Sequence, residues 1–254
     1  MIIAITNQKG GVGKTTSAIN LSAALAFMGK TTLLIDTDPQ AHSSSSVVRD
    51  PHAQNKSIYD VLVNSEKSIE DAILQSTVPG LKVIMSKIAM AKLESTLIGE
   101  IDGHYRLKEK MDSIKKKFEF IIIDTPPNLG LITLNSLVAA DQILIPIQSS
   151  FLCLEGTDDL LETIDKVRKI ANPNLQVLGV MITMHDKRTN ISKDVEERIK
   201  RVFGNKVFKT VVSKSVKLEE SPAYKESIFT YAPHSVGAVQ YYKVAEEIIR
   251  RAKN

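Results

Sequence analysis

Gln8-Lys9-Gly10-Gly11-Val12-Gly13-Lys14-Thr15-Thr16 decides how the rest of the chain is read. The residues before it, Ile2-Ile3-Ala4-Ile5, have the composition of a buried strand, and Ala18, Leu21, Ala24 and Leu25 after it recur at the spacing of one helix face. Strand, glycine-rich turn and helix is the order that points backbone N–H groups at an anion. Gly10, Gly11 and Gly13 let the main chain approach a phosphate, Lys14 reaches its β and γ oxygens, and the Thr15 hydroxyl can ligate Mg²⁺. A chance glycine-rich turn would not also carry the Gly-Lys-Thr-Thr end and both flanks. Gln8 stands where the pattern G-x-x-x-x-G-K-[ST] has its first glycine, and Lys9 adds a lysine five residues before Lys14. The stretch Lys9 to Thr16 therefore predicts a nucleotide-binding loop.

Outward from the loop, further apolar runs predict strands at Thr32–Ile35, Leu81–Met85, Phe120–Ile123, Gln142–Ile147 and Gln176–Met184. They are uniformly apolar rather than alternating, which predicts strands covered on both faces: an α/β, doubly wound, mostly parallel sheet flanked by helices. Helical periodicity predicts helices at Thr16–Met28, Leu107–Lys117, Leu131–Ala140, Thr157–Ala171, Ile191–Phe203 and Val236–Ala252. The segment His42–Lys56, with four consecutive serines, reads as a flexible loop that orders on nucleotide binding.

The 254 residues, 43% of them hydrophobic, fit one domain, 1–254. No run of 18 or more apolar residues and no leader-like N-terminus is present, so the reading is a cytoplasmic protein with no membrane partner. The single cysteine, Cys153, lies in the apolar run Phe151-Leu152-Cys153-Leu154 and reads as a buried structural thiol. Net charge is +4, but residues 185–254 hold 15 Lys/Arg against 9 Asp/Glu, so the basic surplus sits in the C-terminal third and points to a polyanion.

Two acidic motifs complete the chemistry. Asp36-Thr37-Asp38-Pro39-Gln40 ends the second strand, where open α/β sheets place ligands. Strand alternation sends both carboxylates to one side, one beside a metal and the other holding water in line with the γ-phosphate. Asp124, after Phe120-Ile121-Ile122-Ile123, joins Thr15 at the metal. Lys9 leaves two readings open: a solvated lysine at the loop's edge, or a cation reaching the nucleotide of a second subunit.

Together, Lys9 to Thr16, Asp36-x-Asp38-Pro39-Gln40 and Ile123-Asp124-Thr125-Pro126-Pro127 resemble the deviant Walker P-loop ATPases, and within them the ParA/Soj partition proteins, over nearly the whole chain. The resemblance implies a Mg²⁺-dependent ATPase, Lys9 marking an ATP-sandwich homodimer, Lys14 on the phosphates, Asp38 on the water, and Thr15, Asp36 and Asp124 at the metal. It also implies a nucleoid-associated protein that binds double-stranded DNA non-specifically and is stimulated by a ParB-like centromere-binding partner. Family DNA contacts fall on Arg188 and Lys217; Lys187, Lys200, Arg201, Lys214 and Lys243 add to that face. Where the family has Ile-Pro-Arg-Asn-Val beside the adenine, this chain has Val212-Ser213-Lys214-Ser215-Val216, so Ser213 and Ser215 are expected to serve through their backbone. The alternative is a MinD-like membrane-surface or cargo-positioning switch. It is disfavoured because Val244, Ala245, Ile248 and Ile249 of the last helix, which ends Arg-Arg-Ala-Lys, suit packing on the sheet.

Overall fold

In the computed structural model, which describes residues 1–97, 99–151 and 153–252, the apolar runs become strands of one sheet. In chain order they are β1 (Ile2–Ile5), β2 (Thr32–Asp36), β3 (Ile73–Gln75), β4 (Leu81–Ile84), β5 (Phe120–Asp124), β6 (Gln142–Gln148) and β7 (Gln176–Thr183). Their spatial order is β3-β4-β2-β5-β1-β6-β7, parallel throughout except for β3. Only β3 escapes the sequence reading: it is three half-exposed residues pairing antiparallel on β4, too short to show a period.

Successive residues of a strand face opposite sides, so each apolar strand feeds two cores. Ile3, Ile5, Leu34, Ile122 and Leu144 pack under α1 (Lys14–Phe27), where they meet Leu21, Leu25, Tyr241, Val244 and Ile248. Ala4, Leu33, Ile35, Ile121, Ile143 and Ile145 form the core on the other side. The short helices α2 (His42–Ser45), α3 (Ile58–Val63), α4 (Leu93–Leu97) and α5 (Arg106–Met111) connect the first half of the sheet. The chain continues through α6 (Leu131–Ala139), α7 (Thr157–Ile170), α8 (Asn190–Phe203), α9 (Val216–Glu220), α10 (Ile228–Tyr231) and α11 (Val236–Arg251).

α11 packs against α1 with Val244, Ala245 and Ile248 fully buried, as its apolar face predicted. No described helix is long and apolar enough to cross a membrane. Lys253 and Asn254, the end of the predicted basic tail, and Leu152 lie outside the described residues. Cys153 is buried, as expected, and its thiol is pushed up by that burial.

Two readings are corrected. The helix expected over Leu107–Lys117 ends at Met111, where turns (Ile114 N–H to Met111 O, 3.1 Å; Lys117 N–H to Ile114 O, 2.8 Å) set Ile114 into the core and leave Lys115, Lys116 and Lys117 outside. His42–Lys56 is not simply a flexible loop. It opens with α2, in which Ser43 and Ser44 are fully buried, and continues into Val47 and Val48 of the core. The polar run is ordered because buried Asp36 gives it acceptors, and the two valines anchor its end.

The sheet also fixes a steric limit at Gly179 of β7. A Cβ there would sit 2.4 Å from the Lys206 carbonyl oxygen and 2.7 Å from the Phe208 ring. Because the nearest atom is backbone, Gly179→Ala is expected to cost about 2–3 kcal/mol of stability in urea unfolding; a loss under about 0.5 kcal/mol would contradict this packing.

Candidate active site

β1 lies between β5 and β6, while its successor β2 sits beyond β5, so the chain reverses its winding at the C-terminal end of β1. The glycine-rich loop occupies that point. Gly11 and Gly13 adopt left-handed backbone (φ 72° and 86°), which L side chains resist. The loop is pinned from three sides: Thr183 Oγ1 donates to Val12 O at 2.8 Å, Asn7 Nδ2 donates to Pro146 O at 2.8 Å, and Gln8 Nε2 donates to Gly156 O at 2.7 Å. Gln8, in place of the usual glycine, is thus a strut between the loop and the start of α7. α1 begins at Lys14 with no side-chain cap and no acidic residue in its first turn, so its leading N–H groups are open to an anion.

Lys14 is buried, and its Nζ donates to Lys9 O at 2.8 Å, folding the side chain over the loop. Burial pulls its ammonium below the ordinary value, while Asp124 and Asp38 oppose that shift. Gly10, Gly13, Lys14 and Thr15 face Asp38, Gln40 and Pro127 across an open cleft. From Gly13 and Thr16 a second, narrower cleft runs between Met184, Val212, Ser213, Ser215, Leu218 and Tyr241. Ser213 and Ser215 both line it. The Ser213 N–H, however, already donates to Gln240 Oε1 at 2.9 Å, and Ser213 Oγ accepts from Gln240 Nε2 at 2.8 Å.

The two strand-end aspartates lie side by side, Asp36 opposite Asp124 in the β2–β5 register, and both are fully buried. Their environments differ. Asp36 Oδ1 accepts from the Asp38 N–H at 3.0 Å, and Oδ2 accepts from the Ser44 N–H at 2.8 Å and the Ser44 hydroxyl at 2.7 Å. It is committed to holding the turn that presents Asp38. Asp124 has no such partners: both carboxylate oxygens are buried without a hydrogen bond, and the Ser43 hydroxyl beside them is likewise unpaired. Burial first, then the neighbouring Asp36 charge, pushes Asp124 up to about 8, with the Thr15 and Ser43 hydroxyls pulling the other way without closing a bond. Burial also raises Asp36, to about 6, against the Ser44 hydrogen bonds.

A carboxylate buried beside a hydroxyl-bearing loop with both oxygens unspent fits a hard divalent cation. No cluster of three or more His, Cys, Asp or Glu that could hold a metal ion gathers among the described residues. Asp38 differs from both. It lies at the cleft mouth, half-buried, with Oδ1 accepting from the Gln40 N–H at 2.9 Å. Lys9, whose N–H donates to Asn7 Oδ1 at 3.0 Å, lies beside Glu155 of its own chain, Nζ to Oε2 3.4 Å. Asn7, Ser43, Ser44, Met184 and Gln240 were given no site role by the sequence reading, and Gln8 was read only as a departure from the loop pattern. Only the serine run gave a local signal, and it resembled a loop.

The predicted polyanion contacts divide. The 185–190 and 212–217 segments adjoin through His185 N–H to Val212 O (3.1 Å) and Lys214 N–H to His185 O (3.2 Å), which brings the two segments bearing Lys187, Arg188, Lys214 and Lys217 to one rim; of the four, Lys214 lines the narrow cleft. Lys243 lies three residues past Gln240, itself bonded to Ser213. Lys200 and Arg201 lie in the last turn of α8, and Lys200 Nζ is 2.6 Å from Glu196, whose other carboxylate oxygen is 3.5 Å from His185 Nε2. Three of these cations carry partners in cis: Arg188 with Asp186, Lys217 with Glu220 and Lys200 with Glu196.

A family model described as an AAA domain matches residues 1–177. The sporulation initiation inhibitor protein Soj of Bacillus subtilis is 43% identical over 97% of this chain and 97% of its own. The chromosome partitioning protein ParA of Caulobacter vibrioides is 37% identical over 100% of this chain and 95% of its own. Among solved structures, a cobyrinic acid a,c-diamide synthase from Mycobacterium smegmatis with bound ADP and magnesium superposes with a TM-score of 0.87 at 31% identity, over 100% of this chain and 95% of that one. The similarity to these relatives runs along the full length, and the chain belongs to the ParA/Soj branch of the P-loop partition ATPases.

Proposed function

We propose that this chain is a DNA-partitioning ATPase that grips DNA as an ATP-bound dimer and lets go on hydrolysis. The observation that carries the enzymatic half is Asp124, a buried carboxylate with both oxygens unspent beside Thr15 and the uncapped start of α1. ATP lies with its phosphates on Gly10 to Thr16 and its base in the narrow cleft, walled by Met184, Val212 and Leu218. Mg²⁺, when bound, withdraws charge from the phosphate oxygens; Thr15 and Asp124 hold it, and Asp36 acts behind them by fixing Ser44 and the Asp38 turn. Lys14 neutralises the β and γ oxygens. Asp38 orients the water for in-line attack.

The dimer and the DNA face rest on family membership together with two features of the chain. Lys9 stands in the phosphate loop beside Glu155 of its own chain, and in the dimer it reaches across to the second subunit. The rim of Lys187, Arg188, Lys214 and Lys217 supplies sequence-independent phosphate contacts, which two joined subunits double. A ParB-like partner that accelerates hydrolysis then times release, in the cytoplasm on the nucleoid.

The test is DNA binding against salt with ATP, ADP or no nucleotide. Binding should appear with ATP alone and weaken steeply with salt; equal binding in all three states would refute the switch. Lys9→Ala is expected to leave folding and ATP binding intact while the ATPase rate loses its steep dependence on protein concentration. A variant still accelerating cooperatively with concentration would remove Lys9 from the dimer contact.

A further inference from the structure

The loop that joins β7 to α8 places a carboxylate where a DNA phosphate would have to go. Arg188 reaches out with its side chain 89% exposed, yet its guanidinium is held. Arg188 Nε donates to Asp186 Oδ1 at 2.9 Å and Nη2 donates to Asp186 Oδ2 at 2.7 Å, the paired geometry with which arginine grasps either a carboxylate or a phosphate. The Arg188 N–H adds a third bond to Oδ1, at 3.0 Å. Asp186 is itself fixed, because its carbonyl accepts from the Thr189 N–H at 3.2 Å and the Thr189 hydroxyl at 3.1 Å, and Thr189 caps α8. The guanidinium is therefore the partner that can leave. Neighbouring Lys187 is exposed and carries no ion pair among the described residues, so a first approach of DNA meets a ready charge there and a masked one at Arg188.

We infer that Asp186 is an affinity-setting residue, an internal stand-in for phosphate that competes with DNA for Arg188. This rests on the DNA-binding reading above. Its consequence is that one subunit holds DNA weakly and two subunits are needed for a useful grip, since each Arg188 must first be drawn off its carboxylate. While paired, the arginine holds the Asp186 carboxyl well below the usual carboxylate range.

Exposed paired ions are individually weak, and removing the competitor is expected to tighten DNA about two- to five-fold per subunit, hence about four- to twenty-five-fold for a dimer. The experiment measures binding of a labelled duplex at fixed salt with a non-hydrolysable ATP analogue for the wild type, Asp186→Asn, Arg188→Ala and the double variant. Asparagine can still accept the Arg188 N–H, so the turn is retained. Asp194→Asn on α8 is the control for charge alone, because Asp194 is exposed and has no ion pair among the described residues.

Expected are tighter binding for Asp186→Asn, little change for Asp194→Asn, weaker binding for Arg188→Ala, and loss of the gain in the double variant. Equal gains from Asp186→Asn and Asp194→Asn, or none from the former while Arg188→Ala still weakens binding, would overturn the competition and leave the DNA face standing. No effect of Arg188→Ala would remove Arg188 from that face, and the competition with it.

Discussion

Asp38→Ala lowers steady-state phosphate release by at least about a hundred-fold while ATP affinity stays within about three-fold, the size expected when a residue acting on the reacting water is lost. The three carboxylates at the strand ends are distinguished by what they already hold. Asp36 is spent on the Asp38 and Ser44 N–H groups and the Ser44 hydroxyl, and Asp124 is buried beneath the loop. Asp38 alone of the three lies at the cleft mouth, with Oδ1 engaged only by its own turn, at the Gln40 N–H. Phosphate-release kinetics and titration with a fluorescent nucleotide separate the two effects. Loss of ATP binding with turnover would instead make Asp38 a residue that holds the nucleotide. Asp36→Ala makes a useful contrast: it strips the acceptors from Ser44 and should cost stability as well as rate.

Asp124→Asn is expected to abolish the proton release that accompanies Mg²⁺·ATP binding near pH 7, and to weaken that binding at least about ten-fold. In the nucleotide-free protein, burial and the adjacent Asp36 raise Asp124 to about 8, and burial raises Asp36 to about 6. Near pH 7 the pair therefore retains a proton that a divalent cation must displace. Calorimetry in two buffers of different ionisation enthalpy reads that proton directly; equal heats in both would refute it.

The same shifts set how stability varies with pH. Both carboxyls bind protons more tightly in the folded state than in the unfolded one, so their contribution is full in acid and is lost as pH rises. The loss begins above about pH 4, where the unfolded groups ionise, and is complete above about pH 8. In Asp124→Asn the part of this decline above pH 6 should disappear. Unchanged melting profiles between pH 6 and 8 would place the raised ionisation elsewhere.

The order strand, loop, helix around Lys9 to Thr16, the parallel sheet and the packed last helix were legible in the sequence because each depends on local periodicity and composition. Runs such as Phe120–Asp124 are apolar at every position because both faces of the strand are covered. The glycines of the loop were legible as a close approach of main chain to phosphate, and the structure adds that Gly11 and Gly13 are left-handed. Which of Asp36 and Asp124 is already spent on hydrogen bonds was not legible. Both end apolar strands, and only the β2–β5 register and the buried serines of α2 decide which carboxylate is satisfied and which is left open. The same holds for the cations. Sequence located the basic C-terminal third, but charge is a sum whereas ion pairing depends on distances of a few ångströms. It took the fold to bring the segments of Arg188, Lys214 and Lys217 together, pair Lys200 with Glu196, and set Asp186 in the grip of Arg188.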